Sequence, residues 1–162
     1  MYYNLTENIY WGDWKSVYQL KDIVGAVVCV AWNQEMIDGG YSPLVLPYSI
    51  PYFKLAERDR AFPSDSYFKT LYLVFKALKG RHFPVLVHCY MGQHRSPIIA
   101  VMAAIAFSDK LSFELDAYYE QLLKFVDVTL PDFERTRKYN YSVVAQIWIK
   151  GNILSVEGRV GN

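Results

Sequence analysis

Two short runs, AVVCVA at residues 26–31 and PVLVH at 84–88, are apolar and rich in β-branched side chains, with no polar alternation. A strand with one face in water alternates with period two, whereas a strand buried on both faces does not. Each run precedes a loop and further helix-forming sequence, so both are expected as parallel strands inside a sheet covered by helices. Sheets of that kind gather their ligand sites at the carboxyl ends of the strands. The second run delivers His88 and Cys89 to that edge.

The other elements arrange themselves around these two strands. NIYWG (8–12) predicts a short opening strand, and Asp13 is placed to cap a helix from Trp14 to about Ile23, with Val17, Leu20 and Val24 at helical spacing. Residues 32–42, with Gly39 and Gly40, read as a loop, and LVLPYSI (44–50) as a strand loosened by Pro47 and Pro51. Ser64 has the chemistry of an N-cap for a helix to Lys79, with Phe68, Leu71, Tyr72 and Phe75 on one face and Gly80 as its stop. Residues 96–107 predict a helix that is apolar all round and therefore central. Ser112 opens a further helix to about Val126, and Pro131 suits the first turn of a last one to about Lys150. The expectation is one α/β domain over residues 1–150, a mostly parallel, mixed sheet of about five strands flanked by helices. A loose C-terminal tail follows over 151–162.

Composition narrows the function classes. A net charge of +1 gives no bulk electrostatic reason to expect a nucleic-acid or membrane partner. The two cysteines, Cys29 and Cys89, both lie in apolar runs and have neither disulfide-framework nor zinc spacing. With no basic start or apolar run in MYYNLTENIYWG, a reducing, cytoplasmic setting is expected.

Chemistry concentrates in VLVHCYMGQHRSP, residues 85–97. A short loop from a strand into a helix can turn its backbone N–H groups inward as an anion nest, here formed by Tyr90, Met91, Gly92, Gln93 and His94. The helix start adds unpaired N–H groups and the positive end of its dipole. Gly92 supplies dihedrals closed to other residues, and Arg95 can grip two phosphate oxygens in a fork. Cys89 then lies under the phosphorus as a thiolate stabilised by the same field. Ser96 is placed to hydrogen-bond the sulfur, and His88 to brace the loop through backbone carbonyls.

HCYMGQHRS resembles the motif of the cysteine-dependent protein tyrosine phosphatases: His-Cys, two residues, Gly, two residues, Arg, Ser or Thr. NIYWGDWKSVYQLKDIVGAVVCVAWN is similar to the opening of dual-specificity phosphatases, and the run from PYSIP through DRAFPSDSYF to the cysteine has that family's spacing. The resemblance covers about residues 8–126; the last helix lacks the family's usual motif. It implies hydrolysis of phosphate monoesters through a phosphocysteine, with no metal and no cofactor. It also implies an acid on an upstream loop, where KLAERDRAFPSD offers Glu57, Asp59 and Asp65. Asp65 sits in a helical first turn, which stabilises a carboxylate for structural reasons alone. Asp59, thirty residues before Cys89, resembles the family acid. The implied partner is a phosphorylated protein or peptide, phosphotyrosine and also phosphoserine or phosphothreonine. Triphosphate-ended RNA, a phosphoinositide, or phospho-binding without turnover are the alternatives.

Overall fold

The computed structural model describes residues 1–40 and 50–154. Five strands, β1 (Tyr2–Thr6), β2 (Ile9–Gly12), β3 (Ala26–Cys29), β4 (Tyr52–Lys54) and β5 (Val85–His88), form one sheet in the order β1-β2-β5-β3-β4. The hairpin β1–β2 is antiparallel and every other pair is parallel. Both fully apolar runs are central, and all four residues of β3 and of β5 are buried. In register, His88 lies between Gly12 of β2 and Cys29 of β3, so three strand ends converge beside Cys89.

Among the described residues seven α-helices run in chain order: α1 (Ser16–Gln19), α2 (Asn33–Asp38), α3 (Asp65–Leu78), α4 (Arg95–Phe107), α5 (Leu115–Thr129), α6 (Phe133–Thr136) and α7 (Asn140–Ile149). The central one is α4, buried from Arg95 to Ala106, resting on β2 and β5 and enclosed by α3, α5 and α7. Ser64 caps α3 by accepting the Tyr67 N–H at 3.4 Å, and Phe68, Leu71, Phe75 and Leu78 face inward. The opposite sheet face is covered by Val17, Leu20 and Val24, packed on Val27 and Leu86.

The structure departs from the sequence reading in five places, one of them β4 (Tyr52–Lys54), which lies past the strand expected at 44–50 and takes Lys54 out of the expected polar loop. Strand β1 carries no sequence signal of its own; YYNLT mixes polar and apolar residues, and its place is set by pairing with β2, with Tyr3 stacked on Trp11 at 4.9 Å. The expected helix 14–23 is regular only over Ser16–Gln19, although its apolar residues reach the core as their spacing implied. Part of the expected loop 32–42 is α2, whose start is fixed by the Trp32 N–H donating to the Glu35 carboxylate at 2.9 Å, while Gly40, at φ +102°, follows its end. The expected last helix breaks between Thr136 and Asn140, and helical turns then run on to Leu154, because Ile153 and Leu154 are buried. The strand expected at 44–50 lies outside the described residues except for Ile50, and so does the tail beyond Leu154. Among the described residues no helix is long and apolar enough to cross a membrane.

Since α4 carries the site into the sheet from a fully packed position, truncating its core face is expected to be costly. Ile99→Ala, at a side chain with no solvent exposure, should lower stability by about 3 kcal/mol, read as a shift of the urea midpoint at constant slope.

Candidate active site

Where β5 ends, the chain turns through residues 89–94 into α4. Gly92 sits at φ +73°, and a Cβ there would meet Asp13 N and Gly12 C at 2.8 Å. Both obstacles are backbone, so only glycine fits. That conformation turns the Gly92 N–H back onto Cys89 Sγ at 3.2 Å. Cys89 is almost fully buried. Its sulfur lies 3.2 Å from Ser96 Oγ, and Ser96 in turn donates to the Gly12 carbonyl at 3.2 Å. In this arrangement the serine accepts from the thiol; with a thiolate it can turn its proton to sulfur instead.

Arg95 opens α4 and is nearly buried. One terminal nitrogen, NH2, pairs with Glu35 Oε1 at 2.6 Å, and the other, NH1, donates to the Glu57 carbonyl. Its Nε is buried and has no hydrogen-bond partner among the described residues. Burial by itself pulls the guanidinium pKa down, but the neighbouring Cys89 and Glu35 charges push it up, and it stays charged. A buried cation whose Nε is unpartnered among the described residues therefore stands beside the thiol.

Asp59 is brought to the same loop: its Oδ2 lies 3.3 Å from His94 Nδ1. The other two carboxylates go elsewhere. Glu57 turns its side chain to the Arg58 N–H at 3.3 Å, and Asp65 is exposed in the first turn of α3. The stretch from α6 into α7 holds the acid segment and the cysteine loop together. Thr136 Oγ1 donates to the Gln93 carbonyl at 3.3 Å and Ser142 Oγ to the His94 carbonyl at 3.4 Å. From the same stretch, the Tyr141 N–H donates to the Asp59 carbonyl at 3.1 Å and Asn140 Nδ2 to the Arg60 carbonyl at 2.7 Å.

No family model and no curated protein matches the chain. Solved structures do. Tk-PTP in its active form is 14% identical with a TM-score of 0.63, covering 91% of this chain and 92% of that one. The Orf virus protein OH1, described as a tyrosine phosphatase, is 17% identical with a TM-score of 0.60, covering 95% and 87%. Human DUSP28 is 16% identical with a TM-score of 0.57, covering 88% and 98%. The fold is that of the tyrosine and dual-specificity phosphatases.

Within this phosphatase fold the remaining loop residues divide by exposure. Tyr90 is half-buried, packed so closely on α2 that a Cβ at Gly39 would meet its hydroxyl at 2.5 Å, and its carbonyl accepts the Trp14 N–H at 3.1 Å. Met91 is exposed, so neither side chain lines the nest floor. Sequence reasoning missed Glu35, whose only signal was its spacing from Trp32, and it missed Thr136, Tyr141 and Ser142, which carry no local signal at all.

His88 places Nδ1 at 3.2 Å from the Cys89 carbonyl and Nε2 at 3.2 Å from Tyr52 Oη. A carbonyl only accepts, so Nδ1 carries a proton. Burial alone would raise the Cys29 thiol, yet the His88 charge and hydrogen bond override it and hold Cys29 down at about 7. Conversely, burial would lower His88, and the Cys29 charge pushes it up. On its own, the raised His88 stabilises the fold at low pH and loses that stabilisation as pH rises through its folded value. The depressed Cys29 does the opposite, losing stabilisation as pH falls through about 7. The two slopes oppose each other in the intact pair. Cys29→Ala leaves buried His88 without the partner that raises it, so an unfolded chain binds a proton that the folded one refuses. Its melting temperature should therefore fall more steeply than the parent's between about pH 7.5 and about pH 5.5, measured by calorimetry.

Proposed function

We propose that this protein hydrolyses phosphate monoesters, phosphotyrosine and also phosphoserine or phosphothreonine in proteins, through a phosphocysteine on Cys89. The observation that carries this reading is the pairing of Cys89 Sγ, under the Gly92 N–H at 3.2 Å, with the buried Arg95 whose Nε is unpartnered. A phosphoryl group seated in the nest meets backbone N–H groups and the guanidinium, and the sulfur faces its phosphorus for in-line attack.

The thiolate forms an S–P bond as the ester P–O bond breaks, and Asp59 gives its proton to the departing oxygen. Water then attacks the phosphocysteine and loses a proton to Asp59. The S–P bond breaks, and Ser96 turns its hydroxyl to the sulfur as the thiolate re-forms. His94, at 3.3 Å, holds one Asp59 oxygen and leaves the other for the proton. Every transferred atom comes from substrate, water or these side chains. Binding energy at the nest is spent on the equatorial oxygens, where charge gathers in the transition state.

Turnover of p-nitrophenyl phosphate in EDTA is the direct test. Cys89→Ser should reduce it to background, and a variant that kept the parental rate would end the phosphocysteine reading. Asp59→Ala should lower kcat about a hundredfold on phosphotyrosine with little change in KM. It should lose much less on an aryl phosphate whose leaving group is already a weak base. An Asp59→Ala enzyme near the parental rate, beside a crippled Asp65→Ala or Glu57→Ala, would move the acid to that other residue.

A further inference from the structure

The far end of α4 carries a surface unlike that of the cysteine loop. Helix α4 runs from Arg95 to Phe107, about 20 Å at the usual rise per residue, and the chain then turns back through SDKLSF, 108–113. On this turn Leu111 is 60% exposed and Phe113 77%. Phe113 lies in a single 3₁₀ turn, Ser112–Glu114, that leads into α5. Behind them the turn meets α3. A cavity of about 170 Å³ is lined by Tyr72 and Lys76 of α3, by Ser108 and Lys110 of the turn, and by Ile105 and Ile153. Lys110 also lines a second cavity, of about 330 Å³, together with Phe113 and Tyr118. Lys76 lies over the Tyr72 ring at 5.5 Å and Lys110 over the Tyr118 ring at 5.0 Å. Among the described residues, neither lysine is within ion-pair distance of a carboxylate. Of the acids at this end, Asp109 is held by Lys79 at 2.8 Å and Glu114 is half-buried. Leu73, three residues before Lys76 on α3, is exposed as well.

We propose that this end of the protein docks on an anionic lipid bilayer, with Leu111 and Phe113 entering the boundary between headgroups and acyl chains and Lys76 and Lys110 meeting lipid phosphates. This docking is independent of the phosphatase reading. Shape and charge choose the occupant. Two apolar side chains projecting from one tight turn, beside lysines that have no carboxylate partner, suit an interface that is apolar inside and anionic outside. A stable protein partner buries about 800 Å² on each side, spread over about twenty residues, and a short turn with one neighbouring helix stripe does not supply that face. The chain's net charge is only +1, so the attraction is local to Lys76 and Lys110. Because the cysteine loop lies at the other end of α4, the lipid is an anchor and not the substrate.

Co-sedimentation of the intact protein with lipid vesicles is the test. The protein should bind phosphatidylcholine vesicles containing about a quarter phosphatidylserine, and bind phosphatidylcholine alone at least about tenfold more weakly. Raising ionic strength should weaken binding to the anionic vesicles. Lys76→Ala/Lys110→Ala should lower the partition coefficient there by about 25-fold, about fivefold for each lysine. Leu111→Ser/Phe113→Ser should lower it by about a hundredfold. All four side chains are exposed, so both variants should melt with the parent. Phe62→Ser, at a side chain 72% exposed three residues after Asp59, should bind as the parent does. A parent protein that stays in the supernatant with anionic vesicles at low salt overturns the docking face. So does equal binding to both vesicle types, or parental binding by either double variant. An equal loss in Phe62→Ser marks general apolar adsorption and overturns it as well. A dimer in analytical ultracentrifugation that Leu111→Ser/Phe113→Ser dissociates, with no vesicle binding, makes the face a contact between copies of this chain instead.

Discussion

A nearly buried guanidinium is the constraint around which the site is built. Taking the Arg95 charge out of water is unfavourable unless its N–H groups find partners. Two are found in segments remote in sequence: the Glu35 carboxylate of α2 and the Glu57 carbonyl beside the acid. Those bonds fix where α2 and the 57–60 segment must lie relative to the start of α4. The remaining Nε is buried and has no hydrogen-bond partner among the described residues. The same charge sits beside Cys89, so one buried cation organises three segments around the end of β5.

Around that cation the geometry of the candidate site is held from outside the loop. Four carbonyls, of Gln93, His94, Asp59 and Arg60, accept from one stretch of chain between Thr136 and Ser142. A carboxylate on a free loop would spend most of its time away from the cysteine; Asp59, clamped to the same strut as the cysteine loop, loses that freedom in advance, as the proposed reaction requires. The break between α6 and α7 follows from the same bonds, because side chains and an N–H in this stretch serve partners across the site as well as their own helices. Beneath it, the Cys29–His88–Tyr52 cluster ties the loop to the sheet floor by converting two unfavourable burials into one favourable contact.

Much of this was legible because its signals are local. The central strands announce themselves by β-branched runs without alternation, α3 by Ser64 and its apolar face, α4 by being apolar all round, and the nest by Cys89, Gly92 and Arg95 in one short run. Helix α2 reads as a loop in the sequence because Gly39 and Gly40 close so short a run, whereas a single hydrogen bond from the Trp32 N–H to Glu35 starts it. The unbroken last helix was the natural reading of 131–150, since nothing in KYNYS says that its neighbours will lie against another loop.

By itself, then, the sequence determined the sheet's buried centre, the cysteine at its edge and the type of loop that follows. These depend on side-chain periodicity and on backbone dihedrals that only particular residues permit. Tertiary structure alone decided which carboxylate faces His94, that Glu35 holds Arg95, and that residues 136–142 bind both halves of the site. Each of those contacts joins residues 35 or more positions apart, and no local pattern encodes a meeting that exists only once the core has packed.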